Sequence, residues 1–281
     1  MKQLFLASLL FAGLAAAAQD STQTQKKDTL KNKPQFKLSA NYNSGLHYYG
    51  RTDSLRSSGF FPMAEFWITP KFYVNAAPIF VNNALQSFDY VGTVATIGYQ
   101  KVTDKWITGA YVLKPFYEGD AQLVQSALKA QTGVNVSKLH KIVNVNAGVD
   151  ARFTDGVDFG ATAGIDHIVR LPLKSGGVVV LDPGFSVNAG TQRYSRTYTK
   201  KNNNGGLPLI PLPGNGNGPT TETREENQFK ILSYEASVPL IYAKKKWMLI
   251  ATPAYVLPQN LLPGERGNNL FYVTTTVKYT F

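Results

Sequence analysis

Charged side chains recur in this chain at positions that alternate with apolar ones, and the alternation is the first clue to their chemistry. Lys37, Glu65, Lys114, Asp150, Arg152, Asp158, Asp166, Arg170, Asp182, Glu235 and Lys278 each read as standing on the face opposite an apolar stripe. Groups of mixed sign on one face either screen and select small ionic or polar solutes, or neutralise one another in a packed interior. Neither role makes or breaks a covalent bond. The signs do not segregate, so the pattern sets no preference for anions or cations. Asp150, Arg152, Asp158, Asp166 and Arg170 fall on neighbouring segments and form the leading candidate cluster.

Bond-making chemistry has little to work with here. The chain has no Cys and 3 His, at positions 47, 140 and 167, too scattered for a metal site. His167 alone lies on the face where a lipid-cleaving centre would sit, and residues 165–169 offer it no serine. No catalytic residue, cofactor-binding residue, cofactor or metal is expected.

The elements that must carry these residues read as strands. Successive side chains of a strand point to opposite faces. Val143, Val145, Ala147, Val149, Ala151 and Phe153 alternate with Asn144, Asn146, Gly148, Asp150 and Arg152, a pattern no helical period reproduces. About twelve such segments follow one another, an even number as a single-chain bacterial barrel requires. They span 36–49, 60–69, 72–81, 90–100, 106–117, 124–136, 142–153, 157–171, 178–198, 229–242, 247–257 and 270–281. The links at 69–71, 102–105, 137–141, 174–177 and 243–246 are short and each contains Lys. Those between them are more varied and include the longest, 199–228. Short turns at one rim and longer loops at the other describe an all-β, antiparallel, up-and-down transmembrane barrel with both termini on the short-turn, periplasmic side. In such a barrel an Arg or Lys facing mid-bilayer lipid costs about 2–4 kcal/mol, which assigns the charged residues to the lumen.

The chain ends divide the sequence further. Met1-Lys2, the apolar run from Leu4 to Leu14 and the alanines to Ala18 have the anatomy of a secretory signal peptide, with cleavage expected after Ala18. Residues 1–18 are thus read as signal peptide, 19–34 as a polar, disordered periplasmic leader, and 35–281 as the barrel. No apolar run approaches the roughly 20 residues of a membrane helix, and mean hydropathy is −0.17. The net charge of +11 is spread over turns and tails rather than gathered into a groove, so nucleic acid is not an expected partner.

The last strand places Phe271, Val273, Val277, Tyr279 and Phe281 on one face and stops on an aromatic residue. This ending resembles the C-terminal assembly signal of outer-membrane β-barrel proteins of Gram-negative bacteria. The stretch from Tyr234 through Trp247 to Pro258 resembles the closing hairpin of uncharacterised Bacteroidota-type barrels. The resemblance implies a bacterial outer-membrane location after signal-peptide-dependent export and contact with outer-membrane lipid. It also implies that the barrel-assembly machinery reads Val277, Tyr279 and Phe281, and it implies no activity. Twelve-stranded outer-membrane phospholipases form a family of similar strand number, but their local His-x-Ser pattern is absent here.

Three functions stay open on these residues. The first is porin-like passage of small polar solutes, with the lumen charges and the 200–227 loop as selectivity elements. The second is a closed barrel acting as a surface scaffold or binding protein through its extracellular loops, and the third a lipid hydrolase using His167. Four local expectations accompany them. Pro62, Pro78, Pro115, Pro183, Pro239 and Pro253 mark bulges or strand ends near the rims. Trp67, Trp106 and Trp247 form a periplasmic aromatic belt. Residues 121–132 are strand rather than helix, because an odd strand count would separate the termini. The Pro-rich centre of the 200–227 loop folds over the lumen or meets a partner, or is a mobile surface loop.

Overall fold

The computed structural model describes residues 33–52, 55–85, 87–118, 128–200, 220–262, 265 and 267–281, with backbone only at 193–200 and 220–226. The signal peptide, all but the last residues of the leader, residues 121–127 and the loop centre at 201–219 lie outside the described residues. The strands are β1 (Gln35–Asn43), β2 (His47–Tyr48), β3 (Arg51–Thr52), β4 (Ser58–Trp67), β5 (Phe72–Asn82) and β6 (Asp89–Val102). They continue as β7 (Trp106–Tyr117), β8 (Ala130–Lys138), β9 (Asn144–Phe153), β10 (Val157–Asp166), β11 (Val169–Pro172) and β12 (Val178–Leu181). The last are β13 (Gly184–Lys200), β14 (Thr220–Ser237), β15 (Leu240–Lys244), β16 (Trp247–Pro258) and β17 (Leu270–Thr280).

The wall runs β1-β4-β5-β6-β7-β8-β9-β10-β13-β14-β16-β17 and closes from β17 back onto β1, a 12-strand antiparallel barrel. The closing ladder pairs Lys37 with Thr280 and Asn43 with Thr274. Closure leaves this ring no free edge, which is what lets a sheet cross hydrocarbon. The outer face is apolar and exposed around the ring, from Phe36, Phe66 and Phe72 through Ile97, Val112 and Val149 to Leu249 and Val277. So much exposed apolar surface suits lipid and not water.

Three of these strands are interrupted at one level, and prolines mark the place. β10 passes into β11 across His167, β12 into β13 across Pro183, and β14 into β15 across Pro239. Proline offers no N–H, so each break is bridged from the neighbouring residue. His167 donates to the Pro183 carbonyl, Asp182 to that of Pro239 and Val238 to that of Pro253, each at 3.0 Å. Pro62 and Pro78 flank a second gap, where the β4–β5 ladder skips from Phe60↔Phe80 to Ala64↔Ala76.

Two β-bulges re-aim side chains into the lumen. One pairs Ile79 with Gly92 but Phe80 with Tyr90, leaving Val91 over and turning it inward, where it is buried. Gly92 takes φ +148° there, with the Phe116 carbonyl lying where a Cβ would stand. The other pairs Asn188 with Ser233 but Ala189 with Ile231, leaving Leu232 unpaired and fully buried.

Several boundaries differ from the sequence reading. The first strand ends at Asn43 rather than Tyr49, and residues 44–52 turn back into the barrel as a short hairpin. The 199–228 break is shorter than expected, because β13 and β14 stay paired out to Lys200↔Thr220. Within the 121–132 stretch, Ala130 onward is strand β8. Trp106 and Trp247 are exposed on the outer face, but Trp67 points inward and is buried. Its indole N–H has a carboxylate partner inside, Glu65, two residues along on the same face.

Candidate functional site

The lumen gathers most of the predicted charged residues, but at separate levels. Near the short-turn rim, register places Lys37 opposite Glu65 and Ser39 opposite Lys278, so both lysines flank one carboxylate. Lys278 Nζ lies 3.3 Å and Lys37 Nζ 3.9 Å from Glu65 Oε1. The same oxygen accepts the Trp67 indole N–H at 2.8 Å, and Lys37 lies 4.7 Å over the Trp67 ring. All three charged residues are buried, so the triad balances a desolvation cost of several kcal/mol per ion.

Asp166 lies in the same half of the barrel, where Asn144 donates to it at 2.6 Å and Asn146 donates to its other oxygen. Asp182 sits at the proline break, and Arg170 is exposed at the rim, cross-strand from Val180. Asp150, Arg152 and Asp158 belong to the opposite end. The expected five-residue cluster is therefore corrected to two, because residues 158 to 166 span roughly 26 Å at about 3.3 Å per residue. Lys114 is a second correction. It is exposed on the outer face between Val112 and Phe116, with its Nζ 5.4 Å over the Phe116 ring. Strand β7 is apolar on both faces, so alternation there could not tell inside from outside.

At the long-loop end, segment 44–52 supplies residues that sequence reasoning missed. β2 and β3 form a two-residue hairpin with Tyr49 (φ 51°) and Gly50 (φ 78°) at the turn, the left-handed pair such a tight connection needs. The hairpin reaches down into the barrel mouth. Arg51, 1% exposed, pairs with Glu265 at 3.0 Å and donates to the carbonyls of Leu232 at 3.1 Å and Gln259 at 2.9 Å. The Leu232 carbonyl also accepts the Gln259 backbone N–H at 2.7 Å, so Arg51 is a second donor on a bond between β14 and the chain just after β16. Across the lumen, Arg152 is held by Asp150 at 2.8 Å and donates to the hydroxyls of Tyr48 and Tyr49, the latter at 2.6 Å. Burial pushes the Tyr49 hydroxyl up from its ordinary range.

His47 is buried in the same hairpin, with its ring 4.4 Å from that of Tyr272, whose hydroxyl donates to Glu235 at 2.7 Å. Beneath the hairpin, Leu46, Phe61, Ile79, Val81, Val91, Leu113 and Leu128 pack as one apolar cluster. Dense apolar and aromatic residues at 46–49 ahead of Gly50 were the available signal that this segment is not a solvated loop. Elsewhere, His140 is exposed in a turn, and exposed His167 contacts the Ile142 carbonyl through Nδ1. Among the described residues no group of three or more His, Cys, Asp or Glu stands together as a metal site.

A closed ring with an apolar outer belt and a charged, polar lumen defines an integral membrane β-barrel. No known protein family matches the sequence, and no curated protein does. Solved structures of similar shape include the KdgM porin, at 9% identity and a TM-score of 0.46 over 87% of this chain and 99% of that one. An outer membrane channel from Pseudomonas putida F1 is 11% identical, with a TM-score of 0.47 over 92% of this chain and 100% of that one.

Proposed function

We propose that the protein is a bacterial outer-membrane barrel with porin-like passage of small polar solutes, its signal peptide removed and both termini in the periplasm. The observation that carries this reading is the lumen wall. Ser39, Asn41, Asn43, Thr96, Gln100, Gln131, Asn135, Asn188 and Gln192 face inward alongside the charged residues. A barrel that needed only to be filled would be expected to use apolar side chains across that face. The lumen charges Lys37, Glu65, Asp150, Arg152, Asp158, Asp166, Asp182, Glu235 and Lys278 supply the polar wall, and Arg170 its rim. Outer-membrane lipid covers the apolar belt, and the barrel-assembly machinery reads the terminal strand.

Single-channel conductance of residues 19–281 refolded into a planar bilayer tests the reading, alongside a version lacking 202–218. Stable ohmic steps are expected; silence from a correctly folded barrel overturns it. A second reading, a closed barrel serving as a surface scaffold through its loops, draws support from the apolar cluster packed beneath the 44–52 segment. A hydrolase role for His167 gains nothing from its contact with a backbone carbonyl.

A further inference from the structure

The hairpin in the barrel mouth is held by polar contacts that depend on protonation. His47 Nδ1 accepts the Gly50 backbone N–H at 3.1 Å, closing the turn from inside. An imidazole nitrogen that accepts carries no proton, so the neutral ring bears its hydrogen on Nε2. That Nε2 is buried and has no hydrogen-bond partner among the described residues. A second proton has nowhere to go but Nδ1, where it faces the Gly50 N–H, donor against donor.

The groups around the ring do not compensate a charge. Tyr272 of β17 covers its face, and Glu235 of β14 is engaged by the Tyr272 hydroxyl. Glu265, in the segment between β16 and β17, is taken by Arg51, and Asp150 of β9 by Arg152. Tyr48, Tyr49 and Arg51 belong to the hairpin itself.

We propose that the 47–52 hairpin is an acid-released plug, in which protonation of His47 breaks the turn at Gly50 and expels the hairpin from the barrel mouth. Burial lowers the His47 pKa from 6.5 to about 4 in the plugged state. The expelled, solvated state keeps the ordinary value and binds the proton more readily, so acid favours expulsion. The bias begins as pH falls below about 6.5 and is complete below about 4. Between pH 7.5 and pH 5 the ratio of expelled to plugged states rises about 30-fold. The inference takes the barrel as the site of passage, but its test does not require conduction.

The chain has no Cys, so Leu46→Cys places a single thiol at a buried position beside the hairpin. Its reaction with a membrane-impermeant maleimide is followed on the folded barrel at pH 7.5 and pH 5, each rate divided by that of the same thiol in the denatured chain. A rise of about 30-fold at pH 5 is expected, abolished when His47→Gln or His47→Phe is added and retained with Glu265→Gln. A rise that survives both His47 substitutions, or no rise in the parent, overturns the plug switch. Silence in the conductance experiment alone overturns the porin reading and leaves this result standing.

Discussion

Arg51 and Glu265 meet at 3.0 Å across 214 positions of sequence, and their pairing ties the first long loop to the last. The guanidinium does more than pair. Its remaining donors reach the Leu232 carbonyl at the bulge of β14 and the Gln259 carbonyl just after β16. One side chain thus anchors the plug to two walls.

Arg51→Ala removes this anchor and leaves Glu265 without its guanidinium, for an expected loss of about 2–4 kcal/mol. Arg51→Lys recovers only part, since an ammonium cannot span the carboxylate and both carbonyls in the planar fork the site uses. Thermal unfolding in detergent reads the stability. On the porin reading, both variants also conduct more than the parent.

Glu65→Gln leaves Lys37 and Lys278 buried without their shared carboxylate. A cost of about 3–5 kcal/mol is expected. Adding Lys278→Met removes one of the two like charges and restores part of it, so a double-mutant cycle gives a clear coupling energy. Independent, additive losses would show that the triad is not a unit.

Gly92→Ala forces a Cβ against the Phe116 carbonyl at a backbone angle that L side chains rarely adopt. The expected penalty is about 1–3 kcal/mol. Relief by straightening the bulge would turn Val91 out of the apolar cluster, so Leu46→Cys labelling should quicken as stability falls. Unchanged labelling in a folded Gly92→Ala barrel would separate the bulge from the plug.

Phe281 meets Tyr279 edge-to-face at 4.8 Å and Phe36 at a tilt at 5.4 Å, and its N–H donates to the Phe36 carbonyl at 2.9 Å. Deleting it opens the seam where β17 meets β1. If Val277, Tyr279 and Phe281 form the assembly signal, the deletion lowers the yield of barrel inserted in cells several-fold. The barrel that does form keeps its conductance. Normal insertion would remove Phe281 from that role.

Period-two alternation, together with the even strand count that a closed single-chain barrel requires, determined the strand number, the antiparallel order and the inward face of most strands. That information is local, because each side chain's face follows from its neighbours along the same strand. It placed Lys37, Glu65, Asp150, Arg152 and Lys278 in the lumen, and the terminal strand's outer face as far as Phe281. Lys114 was misplaced because β7 carries apolar residues on both faces. Trp67 was misplaced because its nearness to a turn outweighed the face that its strand assigns.

Only the tertiary structure decided what fills the mouth. Leu46, His47, Tyr48, Tyr49 and Arg51 acquire their roles from partners on β9, β14, β17 and the segment before β17. Those partners come within reach only when the ring closes β17 onto β1 and the bulges at Val91 and Leu232 shift the register. Local alternation cannot encode a contact between residues more than a hundred positions apart.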